Sequence, residues 1–302
     1  MYICMLGEFA VLENKHYSIP FEYDVNGAEL SSMEVGGKVR RVCRPSTAEE
    51  LCAVVSQLSA EGEKYTVLGN GSNVIFSDKG YEGTVVLTTG LKGITPTENG
   101  YIAEAGVMLS ALSHRAAKDG YCGLEFAYGI PGTVGGGVYM NAGAYGGEMK
   151  DVLKSIICVD KKGNIKKYSS KQAKLSYRHS AFMGNGRYIL EAEFVLQKGS
   201  SDEAFALMEE NMQKRKSKQP LEYPSCGSTF KRPAGYFAGA LIEQSGLRGY
   251  CVGGAQVSEK HCGFVINKGG ATASDVIALI KHIQKTVLEK TGVQLETEVE
   301  IY

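Results

Sequence analysis

The sequence predicts an α+β fold built in two successive parts, and three observations predict it. Short runs of strand character, separated by helix-like segments and turns, fill the chain as far as residue 199. The stretch from Gly129 to Gly147 packs eight glycines into nineteen residues around one proline and one asparagine, too many for a regular element. From Ser200 the character changes. A helix capped by Ser200 with Glu203 three residues on turns basic at its end (Lys214, Arg215, Lys216, Lys218), stops before Pro220, and gives way to a second unit.

The elements follow in order. After an irregular opening, Ser46 is placed to cap a helix with Glu49 three residues on, and Leu51, Val54, Val55 and Leu58 recur at helical spacing until Gly62. Tyr65 to Leu68 reads as a strand running into Gly69-Asn70-Gly71-Ser72-Asn73, after which VIFSD resumes as strand. Thr84 to Thr88 and Tyr101 to Ala105 are further strands, and a short helix fits Ser110 to Asp119 before Gly120. Beyond the glycine stretch come strands at Lys154 to Asp160 and Tyr188 to Gln197, with a turn at Lys161 to Asn164. The second part holds the loop YPSCGSTFKRP, a helix carrying Phe237, Leu241 and Ile242, a strand near Tyr250, and a long amphipathic helix from Ser274 to Gly292. The chain closes on the alternating strand VQLETEVEIY. Val293, Leu295, Thr297, Val299 and Ile301 share one face; Gln294, Glu296, Glu298 and Glu300 share the other. Alternation alone singles out none of these glutamates.

Composition narrows the function classes. At 302 residues and 43% hydrophobic content the chain can bury substantial cores. Lys plus Arg and Asp plus Glu balance at 33 each, so no summed field draws nucleic acid or an anionic membrane. The eight cysteines (Cys4, Cys43, Cys52, Cys122, Cys158, Cys226, Cys251, Cys262) include no C-x-x-C pair, which argues against zinc or a disulfide framework and for free thiols in a reducing cytoplasm. The N-terminal MYICMLGEFAVLE carries Glu8 and lacks a basic n-region, and no run approaches the ~18 apolar residues of a membrane span. A cytoplasmic protein without membrane insertion is expected.

Several segments invite a chemical reading beside a plain one. GNGSN follows a strand as a dinucleotide fingerprint would, but Val74 stands where the third glycine belongs, so it is not a Rossmann turn; a hairpin with Asn-Gly turn chemistry is the plain reading. In the glycine stretch, consecutive N–H groups could line a nest for an anion such as a nucleotide diphosphate, held by main chain since no Lys or Arg is present. The alternative is a tight crossover between packed elements. Tyr177-Arg178-His179-Ser180 reads by itself as a solvated turn. Ser228, flanked by Gly227 and followed by Lys231 and Arg232, lies in an electropositive loop without the G-x-S-x-G elbow of a hydrolase.

Taken together, six ordered motifs resemble the MurB family of UDP-N-acetylenolpyruvoylglucosamine reductases nearly end to end. They are VLGNGSNVIFSD (Val67 to Asp78), GLEFAYGIPGTVGGGVYMNAGAYGGE (Gly123 to Glu148), YRHSAF (Tyr177 to Phe182), QPLEYPSCGSTFKRP (Gln219 to Pro233), GGAQVSEKHCGFVIN (Gly253 to Asn267) and LETEV (Leu295 to Val299). The resemblance implies a two-lobed FAD-binding module of the vanillyl-alcohol-oxidase type, residues 1–90 and 91–199, then an α+β substrate-binding domain at 200–302 whose last strand packs back near the first lobe. It implies non-covalent FAD held by Leu68, Gly69, Asn70, Gly71, Ser72 and Asn73 with Gly129, Ile130, Pro131, Gly132, Thr133, Gly136, Asn141 and Gly143. NADPH would reduce the flavin and leave, and the enolpyruvyl sugar nucleotide would take hydride at its terminal vinyl carbon, giving UDP-N-acetylmuramate for peptidoglycan.

By motif position Ser228 is the general acid at the α-carbon, Arg178 the stabiliser of the enolate and Glu298 its hydrogen-bonding partner. Tyr177, Arg215, Lys218, Arg232 and His261 would contact substrate. The stretch between Tyr188 and Lys214 has no room for the tyrosine-bearing loop of one branch, so the chain resembles the shorter branch. Glu34 stands in MEVGG where many relatives carry a basic residue, and the chain ends at Tyr302 without the usual small tail. The expected partner is a small-molecule UDP-sugar, with nothing that calls for more than a monomer. Competing readings are a flavin oxidase of the same superfamily, a catalytically silent nucleotide-binding protein, and a flavin-free NAD-dependent dehydrogenase.

Overall fold

In the structure, a computed structural model, residues 19–302 are described; the N-terminal stretch read above, with Cys4 and Glu8, lies outside the described residues. The described chain runs β1 (Phe21–Asn26), β2 (Lys38–Cys43), α1 (Ala48–Ala60), β3 (Tyr65–Leu68), β4 (Val74–Ile75) and β5 (Tyr81–Leu87). It continues β6 (Ile94–Thr97), β7 (Gly100–Glu104), α2 (Leu109–Lys118), β8 (Tyr121–Cys122), α3 (Val134–Tyr139), β9 (Gly143–Ala144) and β10 (Gly147–Glu148). Then follow β11 (Leu153–Asp160), β12 (Ile165–Ser169), α4 (Ser170–Ala173), β13 (Arg187–Val195), β14 (Gln197–Lys198) and α5 (Ser201–Lys218). The last part holds α6 (Ala238–Gln244), β15 (Cys251–Val252), β16 (Ala255–Val257), β17 (Val265–Asn267), α7 (Ala273–Thr291) and β18 (Glu300–Ile301).

Two compact units emerge, each assembled from separated segments. The first takes 19–22, Val42–Asn70 and Gly83–Met212; the second takes Tyr23–Arg41, Gly71–Glu82 and Gln213–Tyr302. In the first unit β3 and β5 pair in parallel, and an antiparallel five-stranded sheet has the order β12-β11-β13-β7-β6. That sheet shares a core with α2 and α3, where Tyr101, Leu109, Leu112, Val138 and Phe194 are almost wholly excluded from solvent. A second core forms around Leu51, Val55 and Leu58 of α1. In the second unit, the three-stranded sheet β15-β16-β17 packs with α6 and α7 through Ile242, Val257, Leu279, Ile283 and Leu295. Each such side chain contributes roughly 1.5–3 kcal/mol on burial. Among the described residues no helix is long and apolar enough to cross a membrane.

Four local readings are corrected. The cap of α1 sits one residue later than Ser46: Thr47 accepts the Glu50 N–H at 3.2 Å, while the Ser46 N–H goes to Glu50 Oε2 at 2.6 Å. Strand β13 ends at Val195, and Gln197 begins a separate strand that pairs with β8. The glycine stretch is not all loop, for Val134-Gly-Gly-Gly-Val-Tyr139 forms α3, capped by Thr133. Tertiary packing overrides the poor helix propensity of glycine here, because a Cβ on Gly135 would come within 2.9 Å of Ala105 Cβ and one on Gly137 within 2.9 Å of Leu109 Cδ1.

The fourth correction concerns the terminal segment. Only Glu300–Ile301 is strand, pairing in parallel with β4, although Leu295 and Val299 are buried as the alternation predicts. Upstream the extended chain bonds to loops rather than to one neighbouring strand. Glu296 O accepts from Lys231 N, Glu298 N donates to Thr229 O, and Glu300 N donates to Asn73 O.

Candidate functional site

In the first unit the two glycine-bearing motifs meet. Strand β3 delivers Gly69 against Thr133, so closely that a Cβ on Gly69 would fall on Thr133 Oγ1. Asn70 Nδ2 donates to Pro131 O at 2.9 Å, and the Leu109 N–H donates to Gly132 O at 3.0 Å. Leu68 is buried at the end of β3, while Gly129 and Ile130 are half-buried, Ile130 against the core. The expected nest of consecutive N–H donors is not built from α3. Its first N–H groups are taken by protein: Val134 by Val107 O, Gly135 by Ala105 O, Gly136 by Thr133 Oγ1 and Gly137 by Thr133 O.

The glycines then sort by what a side chain would meet. Gly143 is demanded by the β9–β10 hairpin, since a Cβ would lie 2.7 Å from Gly147 O. Gly136 is different: its Cβ would meet only Thr133 Oγ1 at 3.6 Å, and it is not among the positive-φ glycines. A helical glycine costs up to ~1 kcal/mol against alanine, and neither close packing nor backbone conformation calls for one at this position. This open face beside the Gly69–Thr133 contact fits a bound flavin dinucleotide approached by backbone.

Asn141 is anchored by protein on three sides. It is fully buried at φ 44°, in the left-handed region. Its Nδ2 donates to Glu148 Oε2 at 2.6 Å and to Ser176 O at 3.0 Å, and its Oδ1 accepts from Lys150 N at 2.9 Å. The Ser176 carbonyl belongs to a tight turn in which Ser176 and His179 exchange N–H···O bonds of 3.1 Å. Tyr177 and Arg178 ride on that turn. Tyr177 is exposed, the Arg178 guanidinium lies 5.3 Å from its ring centroid, and Arg178 itself has φ 49°. A non-glycine residue held in this region stores strain of order 1–3 kcal/mol, a common mark of functional positions.

In the second unit, Ser228, His261, Arg232 and Glu298 lie on segments that are tied together. Ser228 is exposed, but Thr229 and Phe230 beside it are buried. Thr229 donates its N–H to Gly263 O and accepts from Glu298 N at 2.8 Å, its Oγ1 accepts from Val265 N, and Phe230 bridges Thr297. Asn73 Nδ2 closes the other side on Glu298 O at 2.9 Å. Glu296 is spent on an exposed ion pair with Lys231 at 3.4 Å, whereas Glu298 is half-buried, so the structure separates two glutamates that alternation could not. Gly71 is fixed for packing, because a Cβ there would fall on Leu30 O; Ser72 next to it is half-buried.

His261 is half-buried, and burial pushes its pKa below the ordinary histidine range. Gly263 N donates to His261 Nδ1 at 3.1 Å, which leaves the ring proton on Nε2 as a donor. The start of α6 packs on this ring: a Cβ on Gly239 would lie 3.4 Å from His261 Cε1. Arg232 lies 4.7 Å from the Phe237 ring centroid. Phe237 was expected as an apolar helix residue, but it is the N-cap of α6 and 64% exposed. Arg215 and Lys218 stand in the last turn of α5, half-buried and exposed, where cations complement the helix dipole. Glu34 is exposed at φ 55°. The sequence reading gave Thr229 no part and Phe237 only that of an apolar helix residue; the hydroxyl in GSTF was the available signal for Thr229.

Known proteins match this architecture. Residues 39–169 fit the family model described as an FAD binding domain, and residues 219–302 fit that of the UDP-N-acetylenolpyruvoylglucosamine reductase C-terminal domain. A UDP-N-acetylenolpyruvoylglucosamine reductase of Oceanobacillus iheyensis is 48% identical over 89% of this chain and 87% of its own. One from Clostridium novyi is 49% identical over 90% and 88%, and one from Clostridium perfringens 44% identical over 98% and 96%. The crystal structure of the Thermus caldophilus MurB reductase superposes with a TM-score of 0.80 at 33% identity, covering 94% of this chain and 99% of that one. The α+β class, with an FAD-binding module and a distinct C-terminal domain, is thereby shown.

Proposed function

The chain belongs to the UDP-N-acetylenolpyruvoylglucosamine reductase family, and on that premise we propose that Ser228, Arg178 and Glu298 carry its chemistry. The reaction is the NADPH- and FAD-dependent reduction of UDP-N-acetylglucosamine enolpyruvate to UDP-N-acetylmuramate, a step of peptidoglycan precursor synthesis. Bound FAD, once reduced by NADPH, supplies the hydride for the terminal vinyl carbon. Gly69, Asn70, Pro131, Thr133 and the open face at Gly136 are the residues that would hold it.

Hydride addition leaves an electron pair on the α-carbon, delocalised into the carboxylate. A fixed cation beside that carboxylate lowers the barrier most where water is excluded, and this is the part of Arg178. Ser228 Oγ–H gives its proton to the α-carbon, and the resulting alkoxide regains one from solvent, to which Ser228 is open. A serine is a weak acid, so the step relies on a strongly basic enolate and on a positive surround. Glu298 is the hydrogen-bonding partner in this step, with Tyr177, Arg215, Lys218, Arg232 and His261 binding the sugar nucleotide. The protein would work in the cytoplasm as a monomer.

The observation that carries the reading is the exposed Ser228 on a segment whose next residue, Thr229, is hydrogen-bonded to Gly263, Val265 and Glu298. Ser228→Ala is expected to leave reduction of the flavin by NADPH nearly intact and to slow its reoxidation by the enolpyruvyl sugar roughly 10²- to 10⁴-fold. Stopped-flow absorbance of the two half-reactions measures this directly. Equal loss in both would defeat the assignment.

A further inference from the structure

Phe237 breaks a local rule. The residue before the first turn of a helix is ordinarily Ser, Thr, Asp or Asn, whose side chain accepts a backbone N–H, and losing that cap costs ~1 kcal/mol. Here Phe237 takes the place with φ −115°, ψ 122°, and no side-chain cap bond forms. The ring is not used for packing either, being 64% exposed, and Tyr236 beside it is 51% exposed. A violation without a structural return is expected at functional positions. One face of the Phe237 ring is taken by the Arg232 guanidinium at 4.7 Å. Two residues on, Gly239 lies against the His261–Gly263 segment, to which Thr229 and hence Ser228 are tied.

An exposed ring backed by a cation is suited to a flat base followed by phosphates. The base stacks on the free face, and Arg232 balances the negative charge that follows. Resting on the reductase reading above, we infer that Phe237 is the stacking platform for the uracil of the UDP-sugar, with Arg232 as the ion partner of its diphosphate. The same ring could take the adenine of NADPH only by giving up this substrate contact, so the two bases are separable by experiment.

The chain contains no tryptophan, so Phe237→Trp places a single indole at the site of the holoenzyme. UMP is expected to quench its emission saturably, and 2′,5′-ADP to leave it unchanged. Phe237→Leu is expected to raise KM for the enolpyruvyl sugar about tenfold while flavin reduction by NADPH keeps its rate, with Phe237→Tyr restoring KM. Quenching by 2′,5′-ADP instead of UMP, or an unchanged KM in Phe237→Leu, overturns the platform. A wild-type flavin that the enolpyruvyl sugar does not reoxidise would sink the reductase reading instead, and the UMP quench would still report on the ring.

Discussion

Asn141 shows how one buried carboxamide can tie three segments together. Its carboxamide uses both N–H donors and its oxygen on Glu148, Ser176 and Lys150, and its left-handed φ suits Asn better than most side chains. Through Ser176 O it sets the turn bearing Arg178, which makes it a positioning residue. Asn141→Gly keeps the backbone conformation and deletes the bonds, leaving buried polar partners that cost about 1–3 kcal/mol. Flavin reoxidation by the enolpyruvyl sugar should fall at least tenfold more than flavin reduction. If stopped-flow traces show both half-reactions falling together with the melting temperature, Asn141 is structural only. The sequence motif made Asn141 legible as important but not its role, because its partners lie up to 35 positions away in the chain. Glu298 was legible only through the LETEV motif: alternation places it with Glu296 and Glu300, and the bonds to Thr229 and Asn73 are what distinguish its place in the fold.

At the scale of the element, α7 is the case in which local pattern sufficed. Its amphipathic pattern and its bounds were readable within one residue, Ser274 to Gly292 against Ala273–Thr291, and the structure adds the capping box of Thr272 with Asp275 and the left-handed Gly292. What could not be read was a second cap from outside the helix: Asp78, beside β4, accepts the Ala273 and Ser274 N–H groups at 2.8 Å each. Burial acts to raise the Asp78 pKa, but the hydrogen bonds from Ser274 and Ala273 outweigh it and hold the carboxyl below its ordinary value. A depressed folded-state pKa means stability that is present above the unfolded value and is lost as pH falls through the folded one. Asp78→Asn should therefore lower the melting temperature by roughly 2–4 °C at pH 7, the effect of about 1 kcal/mol in a chain of this size. The gap from wild type should narrow as pH is taken below about 4. A gap that stays constant through that range in calorimetry would remove the carboxylate from the account. Helix α3 is the opposite case, hidden because its glycines answer to Ala105 and Leu109, which no window of local sequence includes.

For the whole molecule, the chain's long returns matter more than any local pattern. The second unit gathers residues 23–41 and 71–82 with the C-terminal segment, and Glu300 pairs with Val74. Hydrophobic period reports which face of an element is buried, not which distant segment buries it, so this assembly was not written in any stretch that could be read alone. Ligand binding is coupled to the stability of the fold that binds it. A ligand at a hundred times its Kd adds about 2.7 kcal/mol to a fold that alone binds it. Gly136 allows that coupling to be separated from intrinsic stability. Its added Cβ would find only Thr133 Oγ1, at 3.6 Å, so in the FAD-free protein Gly136→Ala should be neutral or stabilising by up to ~1 kcal/mol. In the same variant the rise in melting temperature on adding FAD should shrink, because the methyl group occupies space kept for the cofactor. Both shifts can be read from one pair of thermal titrations, without turnover. A variant whose FAD-dependent rise equals that of wild type would show that the open face at Gly136 is not part of the cradle, and a less stable FAD-free variant would show that α3 needs this glycine for its own packing.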